Sequence, residues 1–310
     1  MTDSKKLRLA RITKIDGKTT VVIEKDEPTT EMFSLSKKIS KKRKDFDKIE
    51  EMFLMVLSDI AEFNQEVNTI RKGNQQKTNR TAQDLNRKLT HILSSGRLFV
   101  DFIENQVKSK YGKDSSAYID TKNIIRNIYD NYFSYRLYYY LRNFTQHIGF
   151  VITTISSSLI NPIDVNDFSA KVNIYISLDY LLNSNFDWKR ALKKELITHA
   201  KKSYNLNVLT LNHEYHEAIS MMYLKFNELY LELNHQELLD LKFQSDVIYK
   251  KYYDNEKNVN SRYGYITFED GDDMKTIENK KMSILFSGSE IDKIYVMLSK
   301  IGLVRLNLIM

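Results

Sequence analysis

The chain has 310 residues, 42% of them hydrophobic, so it can bury a sizeable core and is not a disordered tail. It has no cysteine, which excludes disulfides and thiolate metal sites, and neither a signal core nor a run of about 18 apolar residues is visible. We therefore expect a cytoplasmic protein without a membrane partner. The formal net charge of +7 favours an anionic partner, although a charge of this size could merely aid solubility.

Residues 7–24 predict a β-hairpin, because apolar and polar residues alternate there around Asp16-Gly17, a dipeptide typical of two-residue turns. Pro28 and the threonines after it predict a connector. Apolar residues then recur at spacings of three and four over residues 49–70, as in an amphipathic helix. We expect a small β element followed by the first long helix.

Two more long helices are predicted in the middle of the chain. Thr81 and Asp84 resemble a capping box at the start of a helix with an apolar inner stripe. The stripe consists of Leu85, Leu89, Ile92, Gly96, Phe99 and Ile103. The next helix is expected from about Ser115 to His147, with Gly149 suited to its end. The two helices should pack antiparallel.

Residues 170–178 alternate as in a short strand, which could pair with the N-terminal hairpin. Asp187 is a candidate cap for a helix beginning near Trp188. A very long helix should follow from about Leu206 to Tyr252.

From about residue 258 the composition changes. Asp270-Gly271 is a second hairpin signal, and a helix is expected near residues 290–301. The sequence therefore predicts an N-terminal hairpin element over 1–30, a helical domain over 31–255 and a separate small β/α element over 256–310.

The segment LRNFTQHIG, residues 141–149, gathers four chemically active side chains. On a helical wheel with Arg142 at 0°, Gln146 falls near 40°, Asn143 near 100° and His147 near 140°, which leaves the opposite face to Leu137, Leu141, Phe144 and Ile148. A guanidinium suits a phosphate, an imidazole can carry or accept a proton near neutral pH, and Asn143 could orient that imidazole. The pattern predicts phosphodiester chemistry, and the alternative is an Arg and a His that only cap carbonyls or contact solvent.

The stretch YRLYYYLRNFTQHIG resembles the Arg-to-His motif of the HEPN superfamily, in the form carried by prokaryotic defence-associated ribonucleases. The resemblance covers roughly residues 45–250 and includes SSGRLFVDFIENQVKSKYG before the motif and IYISLDYLL with Trp188 after it. It implies a HEPN-like antiparallel helical bundle. Together with the hairpin patterns, we expect a mainly α fold with small β additions at the N-terminus and the C-terminus.

The same resemblance implies a metal-independent endoribonuclease that needs no cofactor and acts in antiviral defence, abortive infection or growth arrest as a toxin. Arg142 would hold the scissile phosphate, His147 would be the general acid or base, and Asn143 would position the imidazole or bind a phosphate oxygen. The 2'-hydroxyl would be the nucleophile, so that RNA is cut and DNA is not.

The resemblance also implies a homodimer with paired motifs at the interface, and a regulatory or antitoxin protein is a further candidate partner. Gly149 stands where one variant of the family has a tyrosine that a partner nucleotidyltransferase modifies. Neutralisation by that route is therefore not expected.

Further residues are candidates for RNA contact. Gln146, Tyr135 and Tyr139 lie on the Arg142 side of the wheel, although packing is the commoner role of tyrosines. A basic run either grips phosphates or forms a solvated helix face; it consists of Lys37, Lys38, Lys41, Lys42, Arg43 and Lys44.

Two alternatives stay open. His213 and His216 could reach a metal, but their spacing is not that of zinc proteases and no third ligand is evident, so we expect no metal. The chain could also be a non-catalytic HEPN-like module that binds RNA, nucleotide or protein.

Overall fold

The computed structural model describes residues 6–15, 18–23, 29–72, 79–159, 170–253, 262–268 and 283–287. Within these ranges the protein is mainly α with small β additions, which confirms the prediction of a mainly helical fold with small β elements. The helices are α1 (Thr30–Arg71), α2 (Asn79–Tyr111), α3 (Ser116–Asn131), α4 (Phe133–His147), α5 (Leu178–Asn183), α6 (Arg190–Ala200) and α7 (Val208–Tyr253). The strands are β1 (Lys6–Ile15), β2 (Lys18–Ile23), β3 (Ile152–Leu159), β4 (Ala170–Ser177), β5 (Asn205–Asn207), β6 (Arg262–Phe268) and β7 (Ser283–Ser287). None of the helices in the described ranges has the length and apolar character needed to cross a membrane.

The chain divides into two compact units. The terminal unit combines residues 1–47 with 230–310, and the central unit comprises residues 48–229. Helices α1 and α7 contribute residues to both units.

The terminal unit contains a four-stranded sheet in the order β2-β1-β6-β7. The predicted N-terminal hairpin is confirmed, because β1 and β2 pair antiparallel on either side of Asp16-Gly17. Strand β6 pairs antiparallel with both β1 and β7, so the two terminal β elements, which the sequence analysis separates, share one sheet. Asp16-Gly17, Asp270-Gly271 and the helix expected near 290–301 lie outside the described residues.

The apolar stripe predicted for α2 forms part of the core of the central unit. Its members Leu85, Leu89, Ile92, Phe99 and Ile103 are all buried. Gly96 lies in the same stripe and approaches Tyr215 of α7 so closely that a Cβ there would be 1.7 Å from the Tyr215 hydroxyl oxygen. The glycine therefore lets two helices meet where any larger residue would collide.

The prediction of a single helix from about Ser115 to His147 is wrong. This segment forms two helices, α3 and α4, which are divided at Tyr132, where the backbone is extended. The Glu214 carboxylate accepts hydrogen bonds from the N–H groups of Phe133 and Ser134, at 3.1 and 3.2 Å, and so caps the start of α4. Arg136 donates to the carbonyls of Tyr129 and Asp130 at the end of α3. Side chains thus satisfy backbone groups that a continuous helix would have paired.

Strand β4 is confirmed as a strand, but its predicted pairing with the N-terminal hairpin is wrong. It lies between β3 and β5 in a three-stranded antiparallel sheet of the central unit.

Asp187 does not cap α6, which begins at Arg190; its carboxylate pairs with Lys189 at 2.5 Å. The long helix predicted from about Leu206 is confirmed as α7.

Asn86 fixes the chain just beyond α4. Its buried amide oxygen accepts hydrogen bonds from the N–H groups of Val151 and Ile152, at 3.0 and 2.9 Å. Its amide nitrogen donates to the carbonyls of Ala82 and Ile152. One side chain of α2 therefore satisfies the backbone at the start of β3.

Replacing Asn86 with alanine should lower the free energy of unfolding by about 2 kcal/mol, because two buried N–H groups lose their acceptor. Urea unfolding followed by circular dichroism measures the effect. Asn105→Ala, at an exposed site on the same helix, is the matched control and should change stability little. Equal midpoints for the two variants would contradict this role of Asn86.

Candidate active site

Helix α4 has one buried face and one accessible face. Leu137, Leu141 and Phe144 are buried, as the wheel predicts. Ile148 is an exception, because it follows the last residue of α4 and is exposed rather than packed. The accessible face carries Gln146 and His147, which are exposed, and Arg142 and Asn143, which are partly buried.

Arg142 is held by its neighbour in the chain. Its Nη1 donates to the amide oxygen of Asn143 at 3.2 Å. Its Nε is buried and has no acceptor among the described residues. The guanidinium is therefore partly oriented by the protein and keeps donors that an anionic group could engage.

His147 ends α4 and its imidazole is exposed. In the described part of the chain no hydrogen bond joins it to Asn143, whose oxygen accepts from Arg142 instead. The expected orientation of the imidazole by Asn143 is thus not observed. Asn143 positions the guanidinium, and its amide nitrogen is available to donate to a phosphate oxygen.

Aromatic packing holds the end of α4 in place. The Phe144 ring stacks on Trp188 with 5.4 Å between centroids and makes edge contacts with Tyr180 and Phe186. Trp188 donates its indole N–H to the Leu181 carbonyl at 2.9 Å. Gly149 follows with φ of 151°, a backbone conformation that favours glycine. The motif residues therefore project from a helix whose end is fixed by an aromatic cluster around the buried Phe144 and Trp188.

The two tyrosines predicted to contact RNA lie in different environments. Tyr135 is only 4% exposed and its ring lies nearly parallel to that of Tyr215, so its prediction as a base-stacking residue is wrong. Burial raises the pKa of its phenol. Tyr139 is 38% exposed, and the Arg97 guanidinium lies 4.8 Å from its ring centroid. Arg97 of α2, which the sequence analysis missed, therefore lies beside the accessible face of α4, where its guanidinium also pairs with Asp101 at 2.9 Å.

The basic run belongs to the terminal unit, whereas the motif belongs to the central unit. Lys37, Lys38, Lys41 and Lys44 are exposed, and Arg43 pairs with Asp47 at 3.1 Å. Lys42 is only 8% exposed, donates to Asn234 at 2.7 Å and forms an ion pair with Glu237. Its prediction as a phosphate contact is wrong, because it is buried in a polar contact between α1 and α7.

His213 and His216 are exposed on α7, and His213 Nδ1 lies 3.6 Å from a carboxylate oxygen of Glu217. Among the described residues, no group of three or more His, Asp or Glu side chains is arranged to hold a metal ion.

The chain matches no model of a protein family, no curated protein and no solved structure.

Proposed function

We propose that the protein is a metal-independent endoribonuclease of HEPN type that acts in the cytoplasm, in antiviral defence or growth arrest. The observation that carries the proposal is that one short helix presents both a partly buried, oriented Arg142 and a solvent-exposed His147. A reacting phosphate must reach both groups, and neither side chain is sealed in the core.

In this proposal, Arg142 binds the scissile phosphate and stabilises the charge that develops on its oxygens. Asn143 keeps the guanidinium in position and donates its amide N–H to a phosphate oxygen. His147 acts as the general acid or base, in the attack of the 2'-hydroxyl or in protonation of the 5'-oxygen. The products are a 2',3'-cyclic phosphate and a 5'-hydroxyl.

RNA contact extends along the accessible face of α4. Gln146 is exposed next to His147, and the ring of Tyr139, which is partly exposed, offers an aromatic surface for an unpaired base. The exposed lysines at positions 37, 38, 41 and 44 add long-range attraction for a polyanion.

Wild-type protein should cleave a labelled single-stranded RNA in EDTA and leave DNA of the same sequence intact. The reason is that the nucleophile comes from the ribose and no metal takes part in the step. Gel electrophoresis of both substrates measures it. Cleavage that requires added magnesium, or equal cleavage of DNA, would contradict the proposal.

We propose that the protein is a homodimer. One chain supplies only one Arg142 and one His147, and two copies of the motif facing each other across a symmetric interface would double these catalytic groups. Exposed apolar residues beside the motif support it: Ile148 and Phe150 follow α4 directly, and Phe150 is 55% exposed. An aromatic ring exposed to this extent is suited to a contact with a second chain.

Phe150→Asp should therefore weaken the dimer by about tenfold or more, because it places a carboxylate in an apolar contact. Analytical ultracentrifugation over a range of concentrations measures the dissociation constant. Tyr204→Asp, at an exposed aromatic away from α4 in the chain, is the control. A monomeric wild type, or equal association of both variants, would contradict the proposed interface.

A non-catalytic module that binds RNA, nucleotide or protein is the second candidate. It is favoured by one observation: His147 has no hydrogen-bonding partner within the described residues to fix its tautomer. The non-catalytic module would be supported if the protein bound RNA but did not cleave it, whatever the buffer.

A further inference from the structure

A groove of about 620 Å³ lies between α1 and α7 in the central unit, apart from the residues of the motif. Much of its lining is aliphatic, including Leu57, Ile60 and Leu209. The described residues contribute six polar side chains to the lining: Asn64, Asn68, Arg71, Asn212, His213 and His216. The volume falls within the range of about 300–1,000 Å³ that is typical of small-molecule sites.

The polar part of this lining is rich in hydrogen-bond donors. Each polar side chain that the described residues contribute to it carries an N–H donor, and no carboxylate of the described residues belongs to it. Arg71 Nη1 donates to the Asn68 amide oxygen at 3.2 Å, which orients the guanidinium and leaves its other donors available. Glu217 lies beside His213 at 3.6 Å but does not line the groove. An anion with several acceptor oxygens matches these donors, and a phosphate is the common case.

Asn212 provides an independent observation. It is only 2% exposed, and its amide oxygen accepts a hydrogen bond of 2.6 Å from the Tyr138 hydroxyl, which fixes the side chain. Its buried amide nitrogen has no acceptor in the part of the chain that the structure describes. Buried donors are rarely left unpaired, so an unpaired donor that belongs to the lining of a groove points to a bound acceptor.

Aliphatic and amide groups together favour a planar heterocycle as the rest of the ligand. Leu57, Ile60 and Leu209 offer apolar contact to its faces, and the asparagine amides can donate to and accept from its edge. We propose that this groove binds a nucleoside monophosphate, with the phosphate on Arg71 and the two histidines and the base against the aliphatic lining. None of these residues belongs to the proposed ribonuclease site, so the two proposals stand separately.

Isothermal titration of the full chain with AMP, GMP, CMP and UMP, in EDTA, tests the proposal. At least one nucleotide should bind, and Arg71→Ala and His216→Ala should each weaken it by about 10- to 100-fold, since each removes a hydrogen bond to a charged oxygen. Both side chains are exposed, so neither substitution should unfold the protein. Arg126→Ala, which removes an exposed arginine of α3 outside the groove, is the control and should bind like wild type.

Inorganic phosphate and the nucleoside of the nucleotide that binds are the two partial ligands, and each should bind more weakly than that nucleotide. Phosphate that binds as tightly as the nucleotide would overturn the base contact, and a nucleoside that binds as tightly would overturn the phosphate contact. No binding of any nucleotide at millimolar concentration, or equal binding by Arg71→Ala and Arg126→Ala, would overturn the site itself. Arg142→Ala should retain nucleotide binding whether or not RNA is cleaved, so failure of this proposal is distinguishable from failure of the ribonuclease proposal.

Discussion

Arg142→Ala and His147→Ala should each reduce RNA cleavage by about 100- to 10,000-fold, with the fold unchanged. The first substitution removes the group that stabilises charge on the phosphate, and the second removes the group that transfers the proton. Both side chains lie on the accessible face of α4, so their loss should disturb the core little. Single-turnover cleavage of a labelled RNA in EDTA gives the rates, and circular dichroism checks the fold.

Matched variants distinguish the loss of a catalytic group from the mere loss of a charged side chain, and from cleavage by a contaminating nuclease. Arg126→Ala removes an exposed arginine of α3, and His91→Ala removes an exposed histidine of α2; both should cleave like wild type. Arg142→Lys should fall between wild type and Arg142→Ala, because an ammonium keeps the charge but not the planar fork. Equal cleavage by wild type and both alanine variants would remove Arg142 and His147 from the mechanism.

Gly96→Ala should destabilise the protein by about 3 kcal/mol or more, which is the largest effect on folding that we expect. The new Cβ would lie 1.7 Å from the hydroxyl oxygen and 2.9 Å from Cζ of Tyr215. Tyr215 is buried, its ring stacks against Tyr135 and makes a tilted contact with Tyr138, and it therefore cannot simply swing aside. The collision outweighs the gain of about 1 kcal/mol in helix propensity that alanine normally brings over glycine. Chemical unfolding measures the change.

A second substitution makes this prediction specific. Tyr215→Phe removes the oxygen atom that collides, so the Gly96→Ala, Tyr215→Phe double variant should recover part of the lost stability. In the wild-type background, Tyr215→Phe should have a small effect. Ser94→Ala, at an exposed position of the same helix, is the control for the alanine itself. A Gly96→Ala protein as stable as wild type would show that α2 and α7 do not meet here as described.

The parts of the fold that were predictable depend on local patterns. The buried stripe of α2 follows from a helical period within one segment, and the β1–β2 hairpin follows from alternation around a turn dipeptide. The division between α3 and α4 was not predictable in this way, because Glu214 and Arg136 satisfy the helix ends and Glu214 lies far along the chain. The pairing of β1 with β6 is equally non-local.

The candidate site shows the same limit. Helical spacing correctly placed Arg142, Asn143, Gln146 and His147 on the accessible face of α4. Helical spacing could not decide which side chain bonds to Asn143. The Asn143 amide oxygen accepts a hydrogen bond from the adjacent Arg142 guanidinium, and not from the His147 imidazole. Nor could helical spacing show that Tyr135 meets Tyr215 or that Lys42 meets Glu237, because those contacts join separate helices. The angle of a residue on a helical wheel predicts which face of the helix it lies on, whereas its burial depends on which other elements pack against that face.

The most direct test of the central claim uses two RNA oligonucleotides that differ by one atom. Once the cut is mapped, the second oligonucleotide carries a 2'-deoxy sugar at the nucleotide on the 5' side of that bond. In EDTA, wild-type protein should cut the all-ribose strand to a 2',3'-cyclic phosphate and leave the substituted bond intact. Cleavage of both strands at that bond, or a 5'-phosphate on the product, would contradict attack by the 2'-hydroxyl and with it the assignment of Arg142 and His147.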